Sequence, residues 1–251
     1  MTTSIIVPIR FRADLTMVCI DSILNYTKHG SFELILVQEG DENDMVSTLP
    51  RISNLLQKYA NDYFGFIKYV QNKIPKGYAG ALNAGLAVAN KDSTHYCFMN
   101  NDTVVTPGWM NEMLKAFEDE EVGLVSPTFW GTGDRQSVDW NNGDQYDNVV
   151  DPCSIIGVCY LISKKCMDKV GVWDESFGHG GEDFDMTIRV QNAGYKLKIA
   201  RRAFIYHYGG ASTRIVIGND LETVRKNQIE KIRMVEKKHG IDIMSRFNQK
   251  I

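Results

Sequence analysis

The residues whose types and spacing most directly suggest chemistry are three carboxylates within four positions. Glu182, Asp183 and Asp185 follow Gly180 and Gly181 and open an apolar helical pattern. This order predicts a helix with acids in its first turn, because the unpaired N–H groups and the dipole of a helix N-terminus stabilise negative charge. A carboxylate held there inside a cleft can accept a proton from a reacting hydroxyl. A well-capped surface helix accounts for the segment equally well when it is considered alone.

Two further polar residues lie at the ends of apolar runs. Asp102 closes the sequence Asn100-Asn101-Asp102, and His207 stands after an apolar run and before two glycines. A carboxylate at the end of a strand suits a hard divalent cation, which usually takes further oxygens from substrate phosphates. A turn cap of the Asx type is an equal explanation of Asp102. A lone histidine is more often a partly buried, hydrogen-bonded side chain than a ligand.

Alternating apolar segments predict the elements that must position these residues. In the first half, strand patterns cover residues 4–9, 32–37, 65–70 and 94–99, and helical spacing covers residues 14–26, 47–59 and 79–89. This alternation is typical of a mainly parallel sheet with helices on both faces. Ligands bind such sheets beyond the carboxyl ends of the strands. Polar residues crowd that edge, beyond what each loop alone would explain: Arg10, Gln38, Glu39, Asn72, Lys73, Lys76, Asn100, Asn101 and Asp102.

The second half contains a long polar segment between further predicted elements. We expect strands at residues 122–126, 155–162, 195–200 and 203–206, and helices at residues 107–117 and 164–170, from the acidic segment to Gly194, and at residues 220–238. Residues 131–151 have the composition of a loop, and a loop of this length is often functional. Trp130, Trp140 and Tyr146 could stack on a sugar or a base, although a disordered crossover fits the same composition.

The overall composition is that of a soluble globular protein. The 251 residues suffice for one large domain or two small ones, with 43% hydrophobic and 24% charged residues. A formal net charge of −3 argues against a surface that coats polyanions. The five cysteines form no CxxC motif, so we expect buried free thiols and a reducing, cytoplasmic setting. The sequence shows no signal-peptide pattern and no apolar run long enough for a transmembrane helix.

Common nucleotide-binding motifs are absent from the sequence. There is no GxxxxGK[ST] motif, which excludes a P-loop NTPase. The glycines of Gly77-Tyr78-Ala79-Gly80 have the wrong spacing for GxGxxG, which disfavours a dinucleotide-binding Rossmann site. A nucleotidyltransferase on a similar sheet would carry a Gly-rich loop directly after the first strand, and residues 8–12 contain no glycine.

Taken together, short motifs along most of the chain resemble the inverting family 2 glycosyltransferases of the GT-A fold. The matching pieces, in order, are residues 5–8, residues 80–86, residues 99–103, residues 171–175, residues 182–185 with Arg189 and Gly194, and His207 with Gly210 and Ser212. The resemblance implies one GT-A domain with a mainly parallel, Rossmann-like central sheet flanked by helices. Residues 1–105 would form the nucleotide-sugar-binding half, and residues 106–251 the acceptor-binding half with a C-terminal helix.

The resemblance also implies roles for individual residues in a hexosyltransferase-type reaction. Asp183 would be the general base and Glu182 would contact the acceptor hydroxyls, while Asp102 and His207 would bind Mn²⁺ or Mg²⁺. The residues implied to bind the nucleotide sugar are Pro8, Arg10, Glu39, Asn72, Asn83, Asn100, Asn101 and Asp102. Those implied on the acceptor side are Glu182, Gly181 and Trp140.

The chain departs from the family pattern at two places. Asn100 replaces the first acid of the DxD-like metal motif, and Gln38-Glu39 replaces the usual pair that binds the base and ribose. The nucleotide therefore stays open, as does an acceptor that would be a glycan, a lipid-linked sugar, a protein or a modified nucleobase. The main alternative is a catalytically inactive scaffold of the same fold that binds a carbohydrate or a nucleotide sugar. The presence of both Asp102 and Asp183 argues against it.

Overall fold

The computed structural model describes residues 2–40, 52–54, 57, 66–130, 136, 146–149, 155–209, 215 and 220–245. Its strands are β1 (Thr3–Ile9), β2 (Phe32–Glu39), β3 (Ile67–Asn72), β4 (His95–Met99), β5 (Thr103–Val105), β6 (Val122–Phe129), β7 (Tyr146–Val149), β8 (Cys159–Ser163) and β9 (Lys196–His207). Its helices are α1 (Ala13–Tyr26), α2 (Gly77–Ala87), α3 (Trp109–Lys115), α4 (Lys164–Val170), α5 (Glu182–Asn192) and α6 (Leu221–His239). Short 3₁₀ turns cover Ala116–Glu118 and Glu175–Phe177.

The strands of the described residues form one sheet in the order β3-β2-β1-β4-β8-β6-β9-β5, and β7 pairs with β9. The first four strands are mutually parallel: β1 pairs with both β2 and β4, and β2 pairs with β3. Further along, β8 runs antiparallel to β4 and β6, while β6 and β9 are parallel. The predicted α/β sheet is confirmed, and antiparallel strands extend it in the second half of the chain.

Helices cover both faces of the sheet. Neighbouring residues of a strand point to opposite faces, so each strand contributes side chains to two cores. Ile5 and Val7 of β1 pack in a core that includes Trp109 of α3. Ile6 packs on the other side in a core that includes Leu82 of α2. All positions of β1 and β2 are buried, as is typical of strands covered on both faces.

A third, smaller cluster attaches the C-terminal helix to the rest of the domain. Val235 of α6 packs with Ile188 of α5 and with Phe177 of the 3₁₀ turn that precedes α5. The predicted charged, amphipathic helix at residues 220–238 is therefore present, with Asp220 as its N-cap. It lies on the helix that carries the three acids.

Several boundaries differ from the sequence predictions because strand pairing overrides local pattern. Strand β2 continues to Glu39 instead of ending at residue 37, since its last two residues pair with β3. Strand β9 is continuous across residues 196–207, where two short strands were predicted. The short strands β5 and β7 were not predicted, and both pair with β9. The predicted strand at residues 155–162 begins only at Cys159.

The helix predicted to begin at Pro107 begins at Trp109. Gly108 precedes it in the left-handed region with φ of 82°. Pro107 suits the first helical position, but the turn before the helix needs a glycine in the left-handed region. Pro107 therefore belongs to this turn, and the helix begins after it.

Some predictions fall on residues that the structure does not describe. Residues 52–54 and 57 are helical, but most of the predicted helix at residues 47–59 lies outside the described residues, as do Trp140, Gly210 and Ser212. Tyr146 is described, and its hydroxyl donates to the carbonyl of Glu112 at 2.9 Å. The four cysteines in the described residues are free and buried. Within the described ranges, the helices all lack the length or the apolar character that a bilayer span requires.

Candidate active site

The acid helix α5 begins directly at the first carboxylate. Its N-cap, Gly181, has φ of 88°, a conformation that side chains disfavour. A Cβ at this position would also lie 3.2 Å from both Lys231 Cβ and Phe177 Cδ1. Glycine is therefore required twice at Gly181, for its backbone conformation and for the space that α6 occupies.

Asp183 is held by backbone N–H groups. Its Oδ2 accepts a hydrogen bond from Gly157 N at 3.1 Å, and its Oδ1 accepts one from Phe184 N at 2.9 Å. Burial raises the pKa of the Asp183 carboxyl, while these hydrogen bonds act in the opposite direction because they stabilise the charged form. The carboxylate is thus fixed in one orientation.

Glu182 is also buried, but one of its oxygens differs in its hydrogen bonding. It is 8% exposed, and its Oε2 is buried without a hydrogen-bond partner. Burial, and then the charge of Asp183, raise the pKa of Glu182 to about 8. Two adjacent carboxyl groups with environments this different are suited to different roles, and at neutral pH the Glu182 carboxyl is mainly protonated.

Asp185, the third acid, serves a different purpose. It is fully buried, and its carboxylate contacts Arg189 Nε at 2.9 Å, Lys238 Nζ at 2.6 Å and His239 Nε2 at 2.8 Å. Two of these partners come from α6. Asp185 therefore joins two helices and has no oxygen to spare for a substrate.

Asp102 and His207 are brought together by the antiparallel pairing of β5 with the end of β9. Thr103, next to Asp102, is in register with His207. His207 Nε2 lies 3.2 Å from Asp102 Oδ1, yet this nitrogen is buried and makes no hydrogen bond. A buried ring nitrogen beside a buried carboxylate is a donor set that suits Mn²⁺ or Mg²⁺, with imidazole favouring manganese.

These two residues are too few to complete a coordination sphere. Among the described residues, no three His, Cys, Asp or Glu side chains cluster in a way that could hold a metal ion. Divalent cations at such sites commonly take their remaining ligands from substrate phosphates and water. The arrangement of Asp102 and His207 fits that pattern.

The two asparagines before Asp102 fix the turn that presents it. Asn101 is buried, and its amide donates to Thr16 Oγ1 at 2.8 Å. The carbonyl of Asn100 accepts from Thr103 Oγ1 at 2.9 Å. This turn therefore connects the end of β4 to α1 and to β5.

At the carboxyl edge of β2, two of the predicted nucleotide-binding residues bind each other. Glu39 accepts hydrogen bonds from Asn72 Nδ2 at 2.6 Å, from Lys76 N at 2.6 Å and from Gly77 N at 3.0 Å. Burial raises the pKa of the Glu39 carboxyl. The carboxylate caps the N-terminus of α2, and it ties β2 and β3 to that helix.

The loop after β1 carries backbone strain at the same edge. Pro8 is buried, and the pairing of β1 with β4 ends before it. Its missing N–H therefore removes no hydrogen bond between β1 and β4. Phe11 and Arg12 both have positive φ, 55° and 47°. The Arg10 guanidinium lies 5.1 Å from the centre of the Phe11 ring. Strained non-glycine backbone of this kind is concentrated at functional sites.

Asn83 holds the segment that leads to the acids. Its Nδ2 donates to Trp173 O and to Glu175 Oε1, both at 2.9 Å, and its Oδ1 accepts from Trp173 N at 2.9 Å. The amide of this predicted nucleotide-binding residue is thus engaged within the protein. It fastens the segment before α5 to helix α2.

The comparison with protein families agrees with this geometry. The model of Glycosyl transferase family 2 matches residues 4–175, which is more than half of the chain. The chain belongs to glycosyl transferase family 2. The family match contains the Asn100-Asn101-Asp102 turn and Asn83, and it ends before the three acids of α5.

Proteins similar to this chain include one from a bacterium and one from an animal. The chain is 24% identical over 237 residues to the O-antigen biosynthesis protein RfbC of Myxococcus xanthus, covering 84% of this chain and 18% of that protein. It is 23% identical over 228 residues to polypeptide N-acetylgalactosaminyltransferase 3 of Mus musculus, covering 78% of this chain and 35% of that protein. The chain therefore spans well under half the length of these relatives.

Solved structures show the same GT-A fold. GalNAc-T7, solved with UDP, GalNAc and Mn²⁺, superposes with a TM-score of 0.64 at 15% identity, over 82% of this chain and 43% of that one. The mannosyltransferase PcManGT of Pyrobaculum calidifontis, solved with GDP-Man and Mn²⁺, gives a TM-score of 0.64 at 14% identity, over 89% and 64%.

Two residues at the site of this family 2 chain were not predicted from the sequence. Gly157 approaches Asp183 so closely that a Cβ on it would lie 2.7 Å from Asp183 Cβ. Its signal in the sequence was a glycine inside an apolar run, which marks a close backbone approach. Burial raises the pKa of Tyr78 well above its usual value, and the charges of Glu182, Asp183 and Asp102 raise it further. The Tyr78 hydroxyl thus lies in the field of the acids and of Asp102.

Proposed function

We propose that this chain is an inverting, metal-dependent glycosyltransferase that moves a sugar from a nucleoside diphosphate to an acceptor hydroxyl, with Asp183 as general base. The observation that carries the proposal is the contrast between the two adjacent acids. The hydrogen-bonded carboxylate of Asp183 can take the hydroxyl proton, and protonated Glu182 can bind a hydroxyl oxygen beside it. A base opposite the leaving group makes a single displacement, which inverts the anomeric carbon.

Asp102 and His207 would hold Mn²⁺ or Mg²⁺ together with the phosphates of the nucleotide sugar. His207 Nε2 is buried and makes no hydrogen bond, which supports this assignment. A cation bound there would offset the negative charge that gathers on the departing diphosphate.

The nucleotide sugar would bind at the carboxyl edge of the parallel strands, where ligands of such sheets are held. Pro8, Arg10, Asn100 and Asn101 lie at this edge and line the approach to Asp102 in the proposal. Glu39 and Asn72 would act through each other, since their side chains are already hydrogen-bonded. The complexes of related folds contain UDP in one case and GDP-Man in the other.

The acceptor would approach α5 from the side of Gly181 and Glu182, with Trp140 as a proposed stacking surface. Among a glycan, a lipid-linked sugar, a protein and a modified nucleobase, the name of the RfbC relative favours a glycan. The formal net charge of −3 adds no support for a nucleic acid.

A thermal-shift screen of nucleotides and nucleotide sugars, with and without Mn²⁺, tests the proposal, because a ligand of the folded state raises its stability. We expect stabilisation by one class of nucleotide sugar that requires the metal, followed by release of the nucleoside diphosphate in a transfer or hydrolysis assay. Binding without turnover over a broad acceptor panel would indicate the scaffold instead. The absence of binding by all nucleotide sugars would contradict the proposed function and would leave only a scaffold that binds a carbohydrate.

A further inference from the structure

One lysine of the C-terminal helix bridges the acid helix and the segment that precedes it. Lys238 Nζ lies 2.6 Å from Asp185 Oδ1 and 2.7 Å from Asp174 Oδ2. Asp185 is fully buried and stands two residues after Asp183 in the first turn of α5. Asp174 lies in the segment that leads into α5. A single ammonium group on α6 therefore contacts both the acid helix and its approach.

The segment before α5 is held from two sides. Asp174 Oδ1 accepts from Ser176 N at 2.9 Å and caps the 3₁₀ turn Glu175–Phe177, while its Oδ2 faces Lys238. On the other side, Asn83 of α2 makes three hydrogen bonds to Trp173 and Glu175. Contacts from α2 and from α6 thus both fix the path of the chain into Glu182.

The ion pairs of Asp185 are a poor source of net stability. Removing charged groups from water carries a large free-energy cost, and buried ion pairs often stabilise a fold no more than apolar packing does. Their geometry is nevertheless demanding, because both partners must stay in place to avoid an uncompensated charge. Arg189 and His239 already contact Asp185, so among the ion pairs of the described residues Lys238 is distinguished by joining it to Asp174.

We propose that Lys238 is a positioning residue for the catalytic acids. By holding Asp174 and Asp185 together, it fixes the first turn of α5 and with it the Asp183 carboxylate. The inference rests on the proposed function, because it assigns Lys238 to the same reaction. It gives the C-terminal helix a part in catalysis without contact to either substrate.

The Lys238→Met variant tests this role, because methionine keeps the apolar stem and removes the ammonium group. We expect kcat to fall about 10- to 100-fold, the range that a small displacement of catalytic groups produces, while the dissociation constant of the nucleotide sugar stays unchanged. Lys238→Arg should restore most of kcat, since arginine can contact both carboxylates. The matched control is Lys237→Met, an exposed lysine on the same helix turn, which should leave kcat unchanged.

A second variant guards against a folding defect at Lys238. Asp174→Asn keeps the oxygen that caps Ser176 and weakens only the contact with Lys238. It should lower kcat in the same direction, and the double variant should lose less than the product of the two single losses, because both remove one bridge. Fully multiplicative losses, or wild-type kcat in Lys238→Met, would overturn the proposal.

Failure of the proposed function can be told apart from failure of this inference. If the wild-type chain transfers no sugar, the proposed function is contradicted. Amide hydrogen exchange then measures the effect of the Lys238 bridge on α5 without an activity assay. In that case Lys238→Met should speed exchange in the first turn of α5 relative to Lys237→Met. Equal exchange in the two variants would overturn the bridge itself.

Discussion

At the scale of single residues, the site depends on how differently two adjacent carboxyl groups are surrounded. Asp183 accepts two backbone hydrogen bonds, whereas one oxygen of Glu182 is buried without any. Burial penalises the charged form of both, and the backbone hydrogen bonds to Asp183 offset part of that penalty at both of its oxygens. This is why one position is suited to accept a proton and its neighbour to keep one.

Replacement of Asp183 by Asn should abolish sugar transfer and preserve nucleotide-sugar binding. The amide cannot take a proton at neutral pH, and the loss of a general base typically lowers kcat by about 10²–10⁴-fold. One hydrogen bond from Gly157 is also lost, which should lower the free energy of unfolding by about 1 kcal/mol. Steady-state kinetics and calorimetric binding measure the two effects. Asp168→Asn, which alters an exposed pair with Lys164, is the control, and near wild-type kcat in Asp183→Asn would refute the assignment.

Glu182 should make the protein less stable as the pH rises. The pKa of Glu182 is about 8 in the folded chain and near 4.5 in the unfolded chain. Between these values the unfolded state releases its proton while the folded state keeps it, so ionisation favours unfolding. The contribution is fully present below about pH 4.5 and is lost as the pH passes through about 8.

The Glu182→Gln variant does not titrate and therefore isolates this effect. We expect its stability advantage over the wild type to grow from about pH 5 to about pH 8, measured by urea unfolding without nucleotide or metal. Parallel stability curves for the two proteins would show that Glu182 ionises normally in the fold.

At the scale of elements, the acids are placed by what packs against the start of α5. The absence of a side chain at Gly181 leaves the space in which α6 packs. Gly157 lies close enough to Asp183 for its own N–H to donate to the carboxylate. Glu39 caps α2, and Asn83 on that helix fastens the segment before α5. Residues predicted to bind the nucleotide sugar thus act partly by positioning helices.

Gly157→Ala should impair the site through the element rather than through a lost chemical group. The added Cβ would lie 2.7 Å from Asp183 Cβ, so the 155–158 segment or the first turn of α5 must move. We expect a loss of about 1–3 kcal/mol in the free energy of unfolding and a large loss of kcat. Gly30→Ala, at an open turn with φ of 77°, should cost stability and leave kcat unchanged. Full activity of Gly157→Ala would mean that this contact does not orient Asp183.

At the scale of the whole molecule, the sheet brings together residues that are about a hundred positions apart. Strand β9 crosses the second half of the sheet and delivers His207 to Asp102, 3.2 Å away, through its pairing with β5. The metal site proposed here is therefore a product of the strand order.

His207→Ala should remove the metal-dependent part of nucleotide binding. In the wild type we expect Mn²⁺ and a nucleoside diphosphate together to raise the melting temperature more than either alone, and in the variant this cooperation should be lost. His29→Ala, at the amino-terminal edge of β2, is the control and should behave as the wild type. Equal cooperation in His207→Ala would exclude His207 as a ligand.

Much of the fold was predictable from local pattern alone. The strands at residues 4–9 and 94–99, the helix Lys164–Val170 and the acids at the start of α5 were each predicted within a residue or two. Patterns of this kind depend on near neighbours, so the sequence reveals them directly. The motifs also identified the family, and they singled out Asp102 with His207 and Asp183 with Glu182, two pairs that lie close together in the fold.

The tertiary structure alone decided which residues meet. Strands β5 and β7, the pair of Glu39 with Asn72, the approach of Gly157 to Asp183 and the bridge from Lys238 to Asp174 and Asp185 all join positions distant in sequence. Periodicity shows which face of an element is buried, but the register between strands and the packing of helices depend on the whole chain. The sequence by itself therefore determined which residue types were available for chemistry. The fold decided which of them come together in one site and which hold the others in place.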